Sequence, residues 1–295
     1  MGAWMMKEAL LLLTGANGRT GRHVLQALTA AGVSVRAFIR DQAQAEALLA
    51  LGAVDCAVGD MGDGQSIASA LRGCRSLVHI GPPMHPEEIT FTRNVIAAAQ
   101  GEGIEHFIYY SVMHPLRREV RHHRLKLEAE ECVLESDLAY TILQPARYMQ
   151  HLDALWQRVV DEGVHAMPFS VDQQFSVVDL RDVAEVVARV ASGGARHHYA
   201  IYELAGPEPL SQRDMAQVLS EELGREVRAQ APDFAAFEAD LRARGVDADR
   251  MAQMLVMNRH YDRHGFRGNP NVLRWLLARE PQSFRGYVRE HQAAR

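Results

Sequence analysis

No stretch of this sequence stays apolar for long. The longest uninterrupted runs, Ala9 to Leu13 among them, span five residues, far short of the ~20 that a membrane-spanning helix requires. Met1 to Glu8, with Lys7 ahead of that run, has the look of a signal peptide's start. The run nevertheless ends in Thr14-Gly15 rather than in a small-residue cleavage site. Cysteine is scarce as well: Cys56, Cys74 and Cys132 are odd in number and widely spaced, which excludes a disulfide framework and fits no zinc pattern. Cys56 and Cys74 read as small core residues. Nor is there an excess of positive charge. Lys and Arg total 32 against 37 Asp and Glu, a formal charge of −5, so the concentrated cationic face of a nucleic-acid binder is missing. The 14 histidines include the adjacent pairs His122-His123 and His197-His198, which rarely face one ion, and no H-E-x-x-H occurs. Without G-x-S-x-G there is no support for a serine hydrolase. These absences lead us to expect a cytoplasmic protein with no metal, no membrane span and no nucleic-acid partner.

What remains is an ordinary globular composition, 47% apolar and 23% charged over 295 residues. That is enough for one large or two modest domains with a self-sufficient core. The first half alternates short apolar runs with helical patterns, which predicts βαβ units and a parallel sheet. Leu10 to Leu13 reads as a strand buried on both faces. Arg19 to Ala31 reads as a helix with Val24, Leu25 and Leu28 at core spacing and Gly32 as its stop. Further strands are expected at 33–39, 54–58, 76–80, 106–110 and 140–143. Helices are expected between them, the last a charged one from Arg118 to Glu135. In the second half, Tyr148 to Val160 reads as helical, Phe175 to Leu180 as a strand and Val183 to Val190 as a helix. Ser211 with Asp214 three residues on is a capping-box-like start. Everything after Pro232 is helical by pattern, broken at Gly245, Gly265 and Asn269-Pro270. The expected fold is α/β: a doubly wound parallel sheet over 1–150, rejoined by about 174–200, and a smaller, mostly helical C-terminal substrate domain from 151–173 and 201–295.

One motif carries most of the functional weight. Leu10 to Gly21 reads LLLLTGANGRTG, with Gly15, Gly18 and Gly21 between an apolar strand and a helix. The spacing G-x-x-G-x-x-G is one residue longer than the dinucleotide fingerprint, but the physics is unchanged. Gly15 permits the turn, Gly18 lets a pyrophosphate approach the backbone, and Gly21 packs helix against strand, with the phosphates on the positive end of that helix. An ordinary glycine-rich turn is the bland alternative. At the end of the second strand, where an NAD site carries an acid for the ribose, stand Ile39-Arg40, and Asp41 reads as a helix cap. Arg19 and Arg40 suit a 2′-phosphate, favouring NADP(H) over NAD(H); the alternative is that both are solvated.

With these residues in view, the sequence resembles the NmrA-like branch of the atypical short-chain dehydrogenase/reductase superfamily. The resemblance rests on TGANGRTG (14–21), VRAFIR (35–40), GDMGD (59–63), HFIYYSV (106–112) and TILQPARYMQ (141–150), and extends through FSVVDLRDVAEV (175–186), YELAGPEPLSQRDMA (202–216) and REPQSFRGYVREH (279–291). It implies a Rossmann core and a bound NAD(P)(H). The cofactor residues it implies are Gly15, Asn17, Gly18, Arg19, Thr20, Gly21 and Arg40; Asp60 and Met61 framing the adenine; Gly81 and Pro82 beside a ribose; and Pro145 and Ala146 supporting the nicotinamide. Ser111 matches the superfamily's catalytic Ser, and Lys126 the Lys that holds the nicotinamide ribose. The superfamily's Tyr, one helical turn before that Lys, is replaced by His122. An imidazole can deliver a proton, and Tyr148 is the other candidate donor. Both also read blandly, as a surface residue and a rim aromatic. Met84, Met113, His114 and Tyr148 are expected to shape the substrate pocket, and Met251 to Met257 to be core or cleft lining.

The expected activity is an NADPH-dependent reductase passing hydride to a small activated acceptor such as a quinone, an enone or an imine. Such acceptors need little general acid and tolerate the missing Tyr. The alternative is a non-catalytic NADP(H)-binding redox sensor that acts through a protein partner. A sugar-nucleotide epimerase is disfavoured, because those relatives keep the Tyr. Exposed helices flanking the sheet leave room for a homodimer.

Overall fold

A computed structural model of the chain describes residues 10–231 and 233–294. The signal-like segment Met1 to Glu8 lies outside the described residues. The strands of the main sheet are β1 (Leu10–Leu13), β2 (Ser34–Ile39), β3 (Asp55–Val58), β4 (Cys74–His79), β5 (His106–Tyr110), β6 (Tyr140–Pro145) and β10 (Ala200–Leu204), in spatial order β10-β6-β5-β4-β1-β2-β3. Every pair from β3 to β6 is parallel. The order reverses between β1 and β4, and that switch point is where open α/β sheets bind ligands, beyond the carboxyl ends of the strands.

Local chemistry accounts for the elements around it. Helix α1 (Arg19–Ala30) buries Val24, Leu25 and Leu28 on one face, the stripe a surface helix needs. Asp41 caps the turn after β2 by accepting from Ala43 N. Asp63 accepts from Gln65 N to start α3 (Gly64–Leu71). The helices α4 (Glu88–Gly101) and α5 (Arg121–Leu134) follow β4 and β5. Leu12, Phe38, Ile67, Leu71, Leu77, Val95, Phe107, Val133 and Ile142 form one continuous apolar cluster between sheet and helices.

The chain divides into two compact units. The first comprises 1–111, 125–143 and 183–202, and the second 112–124, 144–182 and 203–295. Residues 112–124 thus group with the second unit, although the sequence reading assigns them to the first. The second unit holds β7 (Arg147–Tyr148), β8 (Val164–Ala166), β9 (Phe175–Val178), β11 (Pro209–Leu210) and β12 (Arg228–Gln230), in a three-stranded sheet β11-β9-β7 and a two-stranded sheet β12-β8. Its helices include α6 (Trp156–Glu162), α8 (Gln212–Leu223), α9 (Phe234–Ala243), α10 (Ala248–His264), α11 (Asn271–Leu277) and α12 (Phe284–Ala293).

Three expectations are corrected here. The stretch from Tyr148 to Val160 is not one helix: a 3₁₀ turn over Met149–Ala154 precedes α6. β9, expected to rejoin the main sheet, pairs with β7 and β11 instead. All four of its residues are buried, and a strand hidden on both faces carries no alternation to say which sheet it joins. The edge strand β10 is missing from the sequence reading altogether. The capping box of α8 forms as expected, with Ser211 and Asp214 bonding reciprocally. Among the described residues no helix is long and apolar enough to cross a membrane, and no cluster of His, Cys, Asp or Glu could hold a metal.

Candidate active site

The glycine loop sits at the switch point. Gly15 adopts φ +64°, and a Cβ there would stand 2.5 Å from the Ile80 carbonyl oxygen, so the loop lies directly on the end of β4. A Cβ on Gly21 would fall 2.2 Å from the Gly15 oxygen, a backbone-to-backbone approach that only glycine allows. Arg22 braces the loop, donating to the Asn17 carbonyl at 3.1 Å and to Asn17 Oδ1 at 2.6 Å. Helix α1 begins with Gly18 as N-cap, no side-chain cap bond and no acid in its first turn. Uncapped N–H groups and the positive end of the helix dipole make this a seat for an anion, with Arg19 exposed and Thr20 half-buried beside it. The residues present fit the pyrophosphate of a dinucleotide.

Gly18 and Gly21 separate folding from binding. A Cβ on Gly18 would meet only the Gly15 oxygen, at 3.3 Å, a contact that small adjustments relieve. Gly18→Val is therefore expected to fold, with a shift in urea midpoint far smaller than its loss of NADPH affinity, about 100-fold or more because its side chain occupies the pyrophosphate's place. Retained affinity in a calorimetric titration would refute the phosphate-loop assignment.

Around the loop, buried polar groups lock the ends of β1 and β4 together. Thr14 Oγ1 accepts from Ile80 N at 2.9 Å and lies 2.9 Å from His79 Nδ1. Thr92 Oγ1 lies 3.4 Å from His79 Nε2 and donates to the Glu88 carbonyl. Burial, with Lys126 nearby, pushes His79 down to about 4. The Glu88 carboxylate lies against the turn after β4, since a Cβ on Gly81 would come within 2.8 Å of both of its oxygens. Pro82 and Met84 on that turn are half-buried, and Met84 holds φ +58°, a conformation that non-glycine residues adopt at a cost.

Lys126, on α5, is 5% exposed. Its Nζ donates to Glu88 Oε1 at 2.7 Å and to the Tyr110 carbonyl at 3.1 Å. Tyr109 donates to the same Glu88 oxygen at 2.9 Å. Burial alone would raise the Glu88 pKa, but the charge and hydrogen bond of Lys126, with help from His79 and Tyr109, hold it below the usual carboxylate range. An ammonium has three protons, and two of them are committed here. Ser111, at the end of β5, is buried and donates its hydroxyl to Glu130 of α5. Asp60 and Met61 sit on a turn in which Asp60 Oδ1 accepts from Gly62 N at 2.8 Å. Asn94 of α4 donates to the Met61 carbonyl at 3.0 Å. Arg40 is exposed just past the end of β2, and the next residue, Asp41, accepts from Ala43 N through Oδ1.

The structure thus brings Gly15 to Gly21, Gly81-Pro82, Lys126 and Ser111 into one connected set, with α4 bracing both it and the Asp60-Met61 turn. Glu88, His79, Tyr109, Glu130 and Asn94 complete that set and are absent from the sequence reading. Glu88 carries only a weak signal there, as an acid in the first turn of a helix.

The remaining candidates fall in the second unit. His122 is half-buried on the first turn of α5, four residues before Lys126. Its neighbour His123 is the fully buried one: Nδ1 donates to the His114 carbonyl at 2.8 Å, so Nε2 accepts from the Tyr261 hydroxyl at 2.8 Å. Burial drives His123 down to about 3. His114 holds φ +55° and meets Glu203 at 3.2 Å. Met113 is fully buried, and a Cβ on Gly268 would stand 2.5 Å from its sulfur. It is therefore a core residue, which corrects its expected place in the substrate pocket. Pro145 accepts from Met113 N at 2.9 Å and Ala146 donates to the Leu204 carbonyl at 3.0 Å. Tyr148 stacks on His151 at 5.7 Å and lines a cavity of about 30 Å³ with Met149, Met167, Phe169 and Phe284. Met251, Met254 and Met257 on α10 are all half-buried.

The chain is 30% identical over 253 residues to quinone oxidoreductase 2 of Escherichia coli, covering 84% of this chain and 86% of that protein. It is 30% identical over 220 residues to an NAD(P)H azoreductase of Xenophilus azovorans, covering 74% and 76%. The crystal structure of the NADPH-dependent quinone oxidoreductase from Escherichia coli complexed with NADPH superposes with a TM-score of 0.84 at 26% identity, covering 96% of this chain and 99% of that one. A triphenylmethane reductase of Citrobacter sp. shares the fold, with a TM-score of 0.83 at 22% identity and coverage of 95% and 99%. The profile of the NmrA-like family matches residues 7–288, and the chain belongs to that family.

Proposed function

We propose that this protein is an NADPH-dependent reductase that transfers hydride to a quinone-type acceptor. The observation that carries the reading is the uncapped, acid-free N-terminus of α1, seated by Gly15 and Gly21 at the switch point of the sheet. The relatives named quinone oxidoreductase and NAD(P)H azoreductase, and the NADPH complex of the former, support it.

When bound, the reduced nicotinamide supplies the hydride. The protein's own contribution is binding, orientation and proton supply. The α1 N-terminus and Asn17 to Gly21 hold the pyrophosphate. Arg40 and Arg19 take the 2′-phosphate, with Asp60 and Met61 at the adenine and Gly81-Pro82 at the ribose. Lys126 would donate a hydrogen bond to the nicotinamide ribose, with Glu88 and the Tyr110 carbonyl fixing the direction of its ammonium. Ser111, oriented by Glu130, and the Pro145-Ala146 turn are assigned to the nicotinamide side. Hydride and one proton convert a quinone to its hydroquinone. A quinone oxygen is a good enough electron sink to take that proton late, from solvent or from His122 or Tyr148, which is why the replacement of the superfamily Tyr is tolerated.

The test is a titration with NADPH and NADH, followed by loss of reduced-nicotinamide absorbance on addition of a quinone, an enone or an imine. Quinone-dependent oxidation of NADPH is the expected result, and tight binding with no turnover on any acceptor would replace the reductase by the sensor. In the same assay Arg40→Ala is expected to weaken NADPH about tenfold while NADH changes about twofold or less, the difference being one charge-assisted phosphate contact. Equal losses for both cofactors would show that Arg40 does not read the phosphate.

A further inference from the structure

Among the described residues, two polar groups on the cavity in the second unit lack an oxygen or nitrogen partner. Arg147 lines it. Among the described residues its guanidinium has only the Met167 sulfur, at 3.8 Å, and the face of Phe169, 5.5 Å from the ring centroid. Several other arginines of this unit are paired with acids: Arg181 with Asp179 and Glu290, Arg285 with Glu221 and Glu222, Arg279 with Asp182. Arg147 meets no carboxylate. The second group is His165, which is 2% exposed and whose Nδ1 has no hydrogen-bond partner. The rest of the wall is already satisfied or apolar. Gln212 accepts from Met167 N and donates to the Phe169 carbonyl, and His151 Nδ1 is engaged by the Tyr148 carbonyl at 2.9 Å.

Arg147 is half-buried; a cation partly withdrawn from water without a counter-charge is costly, and so is a buried ring nitrogen without a partner. Both stand on one cavity wall, where an anion brought in from outside would supply the missing partner. We propose that this cavity is the receptor for an organic oxyanion, a carboxylate or sulfonate carried on an aromatic ring, with Arg147 gripping two oxygens and His165 Nδ1–H donating to one of them. A volume of about 30 Å³ has room for roughly two water-sized atoms, which suits the oxygens of the head group. Burial lowers Arg147 to about 10 and His165 to about 4, so near neutrality the arginine is charged and the histidine is not, and the pair carries one positive charge to match one negative. Arg147 directly follows Pro145-Ala146. We assign the oxyanion to the acceptor substrate, an assignment that rests on the reductase reading above.

Two measurements separate the site from the activity. In calorimetry with no turnover, 2-naphthoate is expected to bind the parent about tenfold or more tightly than 2-naphthamide, and Arg147→Gln to erase that preference. In NADPH oxidation, the ratio of kcat/KM for 1,2-naphthoquinone-4-sulfonate over uncharged 1,2-naphthoquinone is expected to fall about tenfold or more in Arg147→Gln. His165→Leu is expected to reduce the same ratio by a smaller factor. Because Arg147 lacks a protein counter-charge, Arg147→Gln should raise the ligand-free Tm by about 2 °C or more. A lower Tm together with an unchanged preference for the anion would make Arg147 a structural cation and overturn the proposal, as would equal binding of naphthoate and naphthamide to the parent. If neither quinone is reduced while naphthoate still discriminates, the reductase reading fails and the oxyanion site stands.

Discussion

Acidification from neutrality to about pH 5 is expected to remove several kcal/mol of folding stability, on the order of a large part of what a domain has. The cause is four histidines buried as neutral rings. Burial holds His79, His106 and His165 down to about 4 and His123 to about 3, against 6.5 in the unfolded chain. Because the folded values are depressed, the unfolded chain takes up protons first as the pH falls through 6.5. Their contribution is complete above that value and declines until the folded rings themselves titrate, near 4. Each ring contributes about 2 kcal/mol to the difference between pH 7 and pH 5. None can ionise in place at little cost. His79 sits between Thr14 and Thr92 with the Lys126 charge nearby, and His123 is bonded at both nitrogens. His106 bonds Thr141 at 2.8 Å with its other nitrogen unpartnered. Urea midpoints followed by tryptophan fluorescence should fall steeply between pH 7 and pH 5, and His106→Asn should flatten the slope by about a quarter. A midpoint that does not move across that range would refute the account.

Glu88→Ala is expected to destabilise the protein by about 3–5 kcal/mol, because it leaves the Lys126 ammonium buried with only the Tyr110 carbonyl. Glu88→Gln keeps acceptors for Lys126 and Tyr109 without the charge and should cost less. The double variant Glu88→Leu, Lys126→Leu removes both charges and should recover most of the stability. It should not recover NADPH binding, since the ribose contact assigned to Lys126 is gone. Urea titrations of the four proteins, with NADPH affinities, separate the two roles of the pair. A Glu88→Ala protein as stable as the parent would refute the pairing, and parental NADPH affinity in the double variant would refute the ribose assignment.

The features legible in the sequence share a physical origin: each is decided by residues close along the chain. The four leucines of β1, the three glycines and the apolar stripe of α1 announce a strand, an anion-binding turn and a helix in one run of about twenty residues. The Asp41 cap and the Ser211 to Asp214 box are equally local, and both form as read. The illegible features join residues far apart. The Glu88 to Lys126 bridge spans 38 positions, and the Ser111 to Glu130 bond lies within a helix pattern that shows Glu130 only as one charge among many. Met113 looks like a pocket residue in the string HFIYYSVMH and becomes core because Gly268 lets the backbone close over it.

By itself, then, the sequence determined the order of elements through the main sheet's first six strands, the glycine turn between β1 and α1, and the family. Period, caps and turns act over a few residues and do not depend on the rest of the fold. Only the tertiary structure decided which sheet β9 joins, where the buried ammonium finds its carboxylate, and that Arg147 and His165 share one cavity without a counter-ion. Those outcomes depend on which side chains burial forces together, and burial is a property of the folded chain rather than of any segment of it.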